Sequence, residues 1–250
     1  MIIENYKSSY LASLEIADRI GAVIKNSQDK NTHCVLGLAT GSTPINVYQE
    51  LVRKHKKENL SFENVYTFNL DEYWGLRKTH MESYYYFMFE HLFSHIDIPK
   101  NNISIPDGKL NENDVHDYCL DYEARISELG GIDIQILGIG RNGHIGFNEP
   151  GCSDTSITRK VELGETTRQD AAPSFGVLSC VPTHALTMGM QTILNAKTIY
   201  FMAFGESKKD IVKTAFTGDI TNDVPASYLQ THPNCYICLD QYTQLIQEDK

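Results

Sequence analysis

The chain has 250 residues, with 22 Lys and Arg against 32 Asp and Glu and a formal charge of −10. That length suits one α/β domain with a sizeable core, and the acidic balance argues against a general nucleic-acid or membrane-surface role, although a local basic pocket for phosphate stays open. The N-terminal stretch MIIENYKSSYLASLEIADRI is charged throughout and has no apolar core of signal-peptide length, and no run approaches transmembrane length, so a soluble cytoplasmic protein is the expectation.

Leu11, Leu14, Ala17, Ile20 and Ile24 predict one face of a first helix, with Ser8 or Ser9 as its cap. Residues 33–38 predict a strand. The following LATGSTP leads into a helix whose first turn suits Pro44 and whose inner face carries Val47, Tyr48, Leu51 and Val52. Within that turn Gly41 frees the backbone, Thr40, Ser42 and Thr43 add hydroxyls, and the helix N-terminus favours an anion. A phosphate cradle and a well-capped βα turn both satisfy the pattern. A P-loop does not, because no Gly-Lys-Ser/Thr follows. Lys54-His55-Lys56-Lys57 reads as a solvated helix end.

Residues 65–70 predict a second strand, which delivers Asp71 and Glu72 side by side. Successive strand side chains face opposite ways, so only one of the two carboxylates points at a ligand above the sheet. It serves there as a general base or, more plainly, as the N-cap of the next helix. The aromatic run Tyr84-Tyr85-Tyr86-Phe87 reads as packing on a helix. Val115, Tyr118, Tyr122, Ile126 and Leu129 predict a helix stopped by Gly130-Gly131, which feeds a strand at 132–137.

After that strand, Gly138-Ile139-Gly140-Arg141-Asn142-Gly143 fits the G-x-G-x-x-G pattern of dinucleotide-binding turns. That reading needs a helix opening at the third glycine, yet HIGFNEPG follows with two more glycines and a proline. The expectation is therefore an irregular loop presenting His144 near Asn142 and Glu149, at the strand end where open α/β sheets place ligands. A satisfied core histidine is the plain alternative for His144. Residues 198–204 predict another strand. Ser207 then reads as a helix cap with Asp210 three residues on, and Lys208 as either a surface lysine or a cation for a phosphate pocket. Residues 236–239 close the series. Six cysteines are scattered, and Cys235-Tyr236-Ile237-Cys238 has metal-ligand spacing without a second pair, so ordinary thiols and no metal are expected. Strands alternating with helices predict an open, mostly parallel, Rossmann-like sheet covered by helices on both faces, as a single α/β domain over residues 1–250.

Taken together, LGLATGSTP, NLDEYWGL, GIGRNGHIGFNEPG, ALTMGMQTI and FGESK closely resemble the glucosamine-6-phosphate deaminase (isomerase) family, in unbroken order over about residues 33 to 240. The resemblance implies conversion of glucosamine 6-phosphate and water to fructose 6-phosphate and ammonia, with neither NAD nor metal. It implies a small-molecule sugar-phosphate partner, no nucleic acid or membrane, and room for a homo-oligomer. In that reading His144 moves the proton that opens the sugar ring, with Glu149 and Asn142 setting its orientation, and Asp71 removes the C2 proton. Thr40, Gly41, Ser42, Thr43 and Lys208 hold the phosphate.

Two departures stand out. Asn142 occupies a position where many relatives have Asp, keeping the hydrogen bonds without the charge. In a lid-like segment around 160–182, Pro173 stands where relatives place a phosphate-binding Arg, and Arg168 matches a different place in the family pattern. Alternatives are a 6-phosphogluconolactonase or aldose–ketose isomerase on the same architecture, which ammonia release would separate, and a catalytically silent sugar-phosphate sensor. The joint presence of Asp71, His144 and Glu149 argues against silence.

Overall fold

The structure, a computed structural model, describes residues 1–245. Its elements run β1 (Ile2–Asn5), α1 (Ser9–Asp29), β2 (Cys34–Leu38), α2 (Ile45–Glu58), β3 (Val65–Asn69), β4 (Asp71–Tyr73), α3 (Tyr84–His91), β5 (Ile103–Ser104) and α4 (Val115–Glu128). They continue with β6 (Ile134–Leu137), β7 (Arg159–Glu162), α5 (Glu165–Phe175), β8 (His184–Thr187), α6 (Met190–Leu194), β9 (Thr198–Ala203), α7 (Lys209–Thr217) and β10 (Cys235–Leu239). No helix among the described residues is long and apolar enough to cross a membrane.

Seven parallel strands form the main sheet in the order β1-β10-β9-β6-β2-β3-β5. Its two faces bury two distinct cores. Val35, Phe68, Leu137 and Phe201 face Tyr122 and Ile126 of α4, Met190 of α6 and Val212 of α7. Leu36, Leu38, Val65 and Ile136 face Ile16 and Ile20 of α1, Val47 and Leu51 of α2 and Met88 of α3. Near-continuous apolar strands are what a sheet covered on both sides requires.

Cys235 lies in the first core and Cys238 in the second. Three residues apart on one strand, they point to opposite faces, so their spacing does not make a ligand pair.

Several boundaries shift from the sequence reading. Ser8 does cap α1, its hydroxyl accepting from the Leu11 amide at 3.3 Å. Leu11, however, is 45% exposed, and the buried stripe runs through Ala12, Ile16, Ala17, Ile20 and Ile24. At 3.6 residues per turn Leu11 lies about 140° from Ile16, off the inner face. Ser207 does not cap α7. It lies in a short 3-10 turn, Glu206–Lys208, and α7 starts at Lys209 with no side-chain cap. A second sheet, the antiparallel β4-β8-β7, has no counterpart in the sequence reading. Its strands are three or four residues long, and β7 sets Val161 among the charged Arg159, Lys160 and Glu162, so alternation does not announce it.

Leu70 joins the two sheets. Its amide donates to the Leu38 carbonyl of the main sheet at 2.9 Å, and its carbonyl accepts from the Met188 amide, just past β8, at 2.7 Å. Asp71 therefore starts a strand of its own rather than ending the one before it.

Candidate active site

In the main sheet β2 continues to β3 on one side, whereas β6 continues to β9 on the other. The order reverses between β2 and β6, and an open parallel sheet forms its ligand crevice at the carboxyl ends of such a pair. The loops after both strands meet there. A Cβ at Gly138 would lie 3.8 Å from the Thr43 hydroxyl. A cavity of about 310 Å³ opens at this point, lined by the two loops, by Asp71 and by residues of α5.

Residues 40–43 form one wall. Gly41 has φ +92°, a left-handed conformation that other residues rarely adopt, although open space surrounds the position of a Cβ. α2 follows with no side chain capping its N-terminus. Its first amides and the dipole they represent thus face the cavity loop unclaimed, which is the condition for anion binding. Lys208 adds a half-buried cation. Its Nζ donates to the Ile139 carbonyl at 2.8 Å, and burial lowers its pKa, with Asp170 acting in the opposite direction.

Asp71 and Glu72 divide as strand alternation requires. Asp71 lines the cavity, is 5% exposed, and its carboxylate accepts no hydrogen bond among the described residues. Burial first, and the neighbouring Glu72 second, push its pKa well above the ordinary carboxylate value. Glu72 turns away and accepts three amides: Tyr73 at 2.8 Å, Tyr84 at 3.0 Å and Tyr85 at 3.0 Å. The last two open α3, whose N-cap is Ser83 with its hydroxyl accepting the Tyr86 amide at 3.1 Å, so Glu72 serves the helix start from outside it and leaves the cavity to its neighbour.

Burial raises Glu72 from 4.5 to about 7, with the three amides pulling the other way. A carboxyl whose folded pKa is raised contributes stability that is complete below about 4.5 and lost as pH rises through about 7. Asp71 acts with the same sign. Urea unfolding should therefore give a less stable protein at about pH 8 than at about pH 5, by on the order of a few kcal/mol. In Glu72→Gln this decline should shrink, while loss of one acceptor costs about 1–3 kcal/mol at acid pH. An undiminished decline in the variant would place the titration elsewhere.

The glycines of 138–151 answer to the imidazole. A Cβ on Gly140 would lie 2.0 Å from His144 Cε1 and 2.2 Å from Nε2, so the ring occupies the space a side chain would need. Gly143 and Gly146 have φ +87° and +58°. No helix opens at Gly143, which rules the dinucleotide turn out on its own terms. Buried Asn148 pins the loop by donating to the Ile145 and Met188 carbonyls at 3.0 and 2.8 Å.

The polar contacts then fix a proton position. Asn142 Nδ2 donates to Glu149 Oε2 at 2.8 Å, and an ionised carboxylate only accepts. Asn142 Oδ1 must therefore face His144 Nδ1, 2.7 Å away, which makes Nδ1 the protonated nitrogen. The Thr167 hydroxyl of α5 approaches the same nitrogen at 3.2 Å, and Glu149 Oε2 lies 3.8 Å from it. Nε2 has no hydrogen bond among the described residues and is left as a lone pair on a ring that lines the cavity. Burial lowers the His144 pKa against the opposing pull of Glu149, so the imidazole is held neutral with its lone pair at Nε2. Glu149 also accepts the Gly164 amide at 3.2 Å, where α5 begins. Among the described residues no three His, Cys, Asp or Glu side chains converge as a metal-binding group.

Comparison with known proteins gives the family. Residues 8–237 match the family model described as glucosamine-6-phosphate isomerases/6-phosphogluconolactonase. The chain belongs to this family. It is 49% identical to a glucosamine-6-phosphate deaminase of Geobacillus sp. (strain WCH70), over 92% of this chain and 89% of that protein. It is 42% identical to a glucosamine-6-phosphate deaminase of Clostridium botulinum (strain Langeland / NCTC 10281 / Type F), over 96% and 95%. A solved monomeric glucosamine-6-phosphate deaminase superposes with a TM-score of 0.92 at 42% identity, covering 97% of this chain and 98% of that one. The 6-phosphogluconolactonase of Thermotoga maritima, at 18% identity and a TM-score of 0.75 over 96% and 99%, shares the fold.

Within this family member, Thr40, Gly41, Ser42, Thr43, Asp71, His144 and Lys208 all line one cavity, and Asn142 and Glu149 stand behind the imidazole. Pro173 lies exposed inside α5 and does not line the cavity. Nor does Arg168, whose guanidinium is turned to the Leu178 and Val181 carbonyls at 3.2 Å. Cavity residues that the sequence reading passed over are Tyr73, Tyr84, Phe147, Arg141, Thr167 and Asp170. Tyr84, read as plain packing, stacks on Phe147 with ring centroids 5.9 Å apart. Polar residues of α5 had no signal beyond their place in a short helix that holds a proline.

Proposed function

We propose that this protein deaminates and isomerises glucosamine 6-phosphate, with water, to fructose 6-phosphate and ammonia. The observation that carries the reading is the pairing of an unbonded, proton-avid Asp71 with a neutral His144 of defined tautomer in one cavity. The names borne by relatives at 42–49% identity support it.

The chemistry needs two proton movements. The ring of the cyclic sugar opens when the C1 hydroxyl loses its proton and the ring oxygen gains one; His144 Nε2 takes the first and returns the second. Asn142 and Glu149 hold the ring in place and Glu149 stabilises the imidazolium formed in passing. Asp71 then removes the C2 proton of the open aldehyde, giving a 1,2-enolamine. Protonation at C1 gives a ketimine at C2, water adds there, and ammonia leaves. A carboxylate with raised proton affinity is the stronger base for this weakly acidic C–H beside the aldehyde. The 40–43 turn and Lys208 grip the phosphate. The segment around 160–182, with α5 at its centre, serves as a lid over this cavity and brings Thr167 to the imidazole. The reading carries a cytoplasmic setting, a single catalytic domain, and no nucleic-acid or membrane partner.

A coupled assay that follows fructose 6-phosphate and ammonia together tests the assignment. Both should appear in equal amounts. Lactone hydrolysis without ammonia would instead make the chain a 6-phosphogluconolactonase. The phosphate cradle has its own check: unphosphorylated glucosamine should be a poor substrate, and Gly41→Val, forced to adopt φ +92°, should raise KM for the phosphorylated sugar by roughly tenfold or more. Equal use of both sugars by the unaltered protein would remove residues 40–43 from the phosphate site.

A further inference from the structure

Arg141 and Asp170 meet at the cavity. Arg141 comes from the loop after β6 and Asp170 from α5, and Arg141 Nη2 lies 2.8 Å from Asp170 Oδ1. Both line the cavity, together with Lys208 and Asp71. These four are its charged residues, two cations against two carboxylates, so the lining is formally neutral when His144 is neutral. That is a poor receptacle for a phosphate dianion. Lys208 is already tied to a carbonyl, and α5 supplies no cation, because Arg168 is turned away from the cavity. Arg141 is the second cation, and its partner is a carboxylate whose side chain is 43% exposed, beside a guanidinium that is 60% exposed. Ion pairs so open to water contribute little, whereas a guanidinium gripping phosphate makes two parallel charge-assisted bonds.

We propose that Arg141 is a phosphate-binding residue of this site and that Asp170 holds it in reserve, so that substrate phosphate and Asp170 compete for one guanidinium. This rests on the sugar-phosphate reading above and adds a specificity determinant to it. In the empty cavity Asp170 keeps Arg141 poised at the mouth. When phosphate enters, Arg141 turns to it and Asp170 is released to water, which needs only a side-chain rotation from an exposed position. The electrostatic influence of both Asp170 and Arg141 on Lys208 supports their closeness to the anion end of the cavity. Asp170 then acts as a brake on phosphate affinity, an effect opposite to that of an ordinary binding residue.

The test uses the full chain and two readouts, titration calorimetry with inorganic phosphate and steady-state kinetics with glucosamine 6-phosphate. Arg141→Ala should weaken phosphate binding and raise KM by roughly 10- to 100-fold, with most of the loss in KM rather than kcat. Arg141→Lys, which keeps the charge but not the fork, should fall between. Asp170→Asn should do the reverse, tightening phosphate and lowering KM severalfold, and this gain should vanish in the Arg141→Ala background. Unchanged or weaker phosphate binding in Asp170→Asn would overturn the proposal. So would an equal gain from Asp170→Asn with and without Arg141, which would mean plain repulsion rather than competition. If the unaltered protein releases no ammonia, the wider functional reading fails, and the phosphate titrations still decide this one.

Discussion

Asp71→Asn should abolish both turnover and exchange of the C2 hydrogen with solvent deuterium. An amide cannot take a proton from carbon, and a lost general base costs roughly 10²–10⁴ in rate, about 3–5 kcal/mol of barrier. Glu72 is adjacent but offers no rescue, because both its oxygens are committed to the amides of Tyr73, Tyr84 and Tyr85 on the far side of the strand. The same base predicts the acid limb of the pH profile. Burial and Glu72 raise the Asp71 pKa, so its proton-free form is lost as pH falls through a value above the ordinary carboxylate range. kcat/KM should therefore decline on the acid side well before a solvent-exposed aspartate would titrate. Rapid C2 exchange in Asp71→Asn, or an acid limb at the ordinary carboxylate value, would take the base role away from this residue.

Gly140→Ala should be nearly as damaging, although it adds a single methyl group. The backbone of Gly140 is not left-handed, so alanine meets no conformational strain there. Its methyl would instead lie 2.0 Å from His144 Cε1, and the ring must leave Asn142 to make room. Turnover of the cyclic sugar is expected to drop by roughly 10²–10⁴, the range for losing a proton-transfer group, and to match His144→Gln. Both variants should still bind an open-chain amino-alditol phosphate, which never needs ring opening. Near-normal turnover by Gly140→Ala would show that the imidazole tolerates displacement and does not hold the ring-opening position. Loss of open-chain binding as well would point to general collapse of the loop.

What could be read in advance follows from how each feature is encoded. The main sheet was legible because strands such as 34–38 and 134–137 are buried on both faces and read as apolar runs between helices. His144, Asp71 and the 40–43 turn were legible because each follows directly on such a strand, so local order in the chain became proximity in space. The antiparallel sheet was not, since β7 is paired across a long stretch of chain and its run of charged residues looks like loop. Arg141 and Asp170 escaped for a related reason. Each alone is a surface charge, and only the packing of α5 over the loop after β6 makes them a pair. Glu72 shows the opposite case: strand alternation predicted that only one of the adjacent carboxylates faces the cavity, and Asp71 does so while Glu72 accepts amides at the start of α3.

Leu70, hydrogen-bonded to one sheet through its amide and to the other through its carbonyl, works as a phase marker for the chain. The two carboxylates after it differ only in parity, one facing the cavity and one facing α3. Deleting Leu70 would invert that parity while leaving both carboxylates in the chain. The longer Glu72 side chain would then project into the cavity, and Asp71, shorter by one methylene, would be left to reach for the amides of α3. A loop of variable length is commonly the tolerant part of an enzyme. Here the intolerant part is a single buried residue that also sets the count, and an indel at Leu70 should be as inactivating as removal of the base itself.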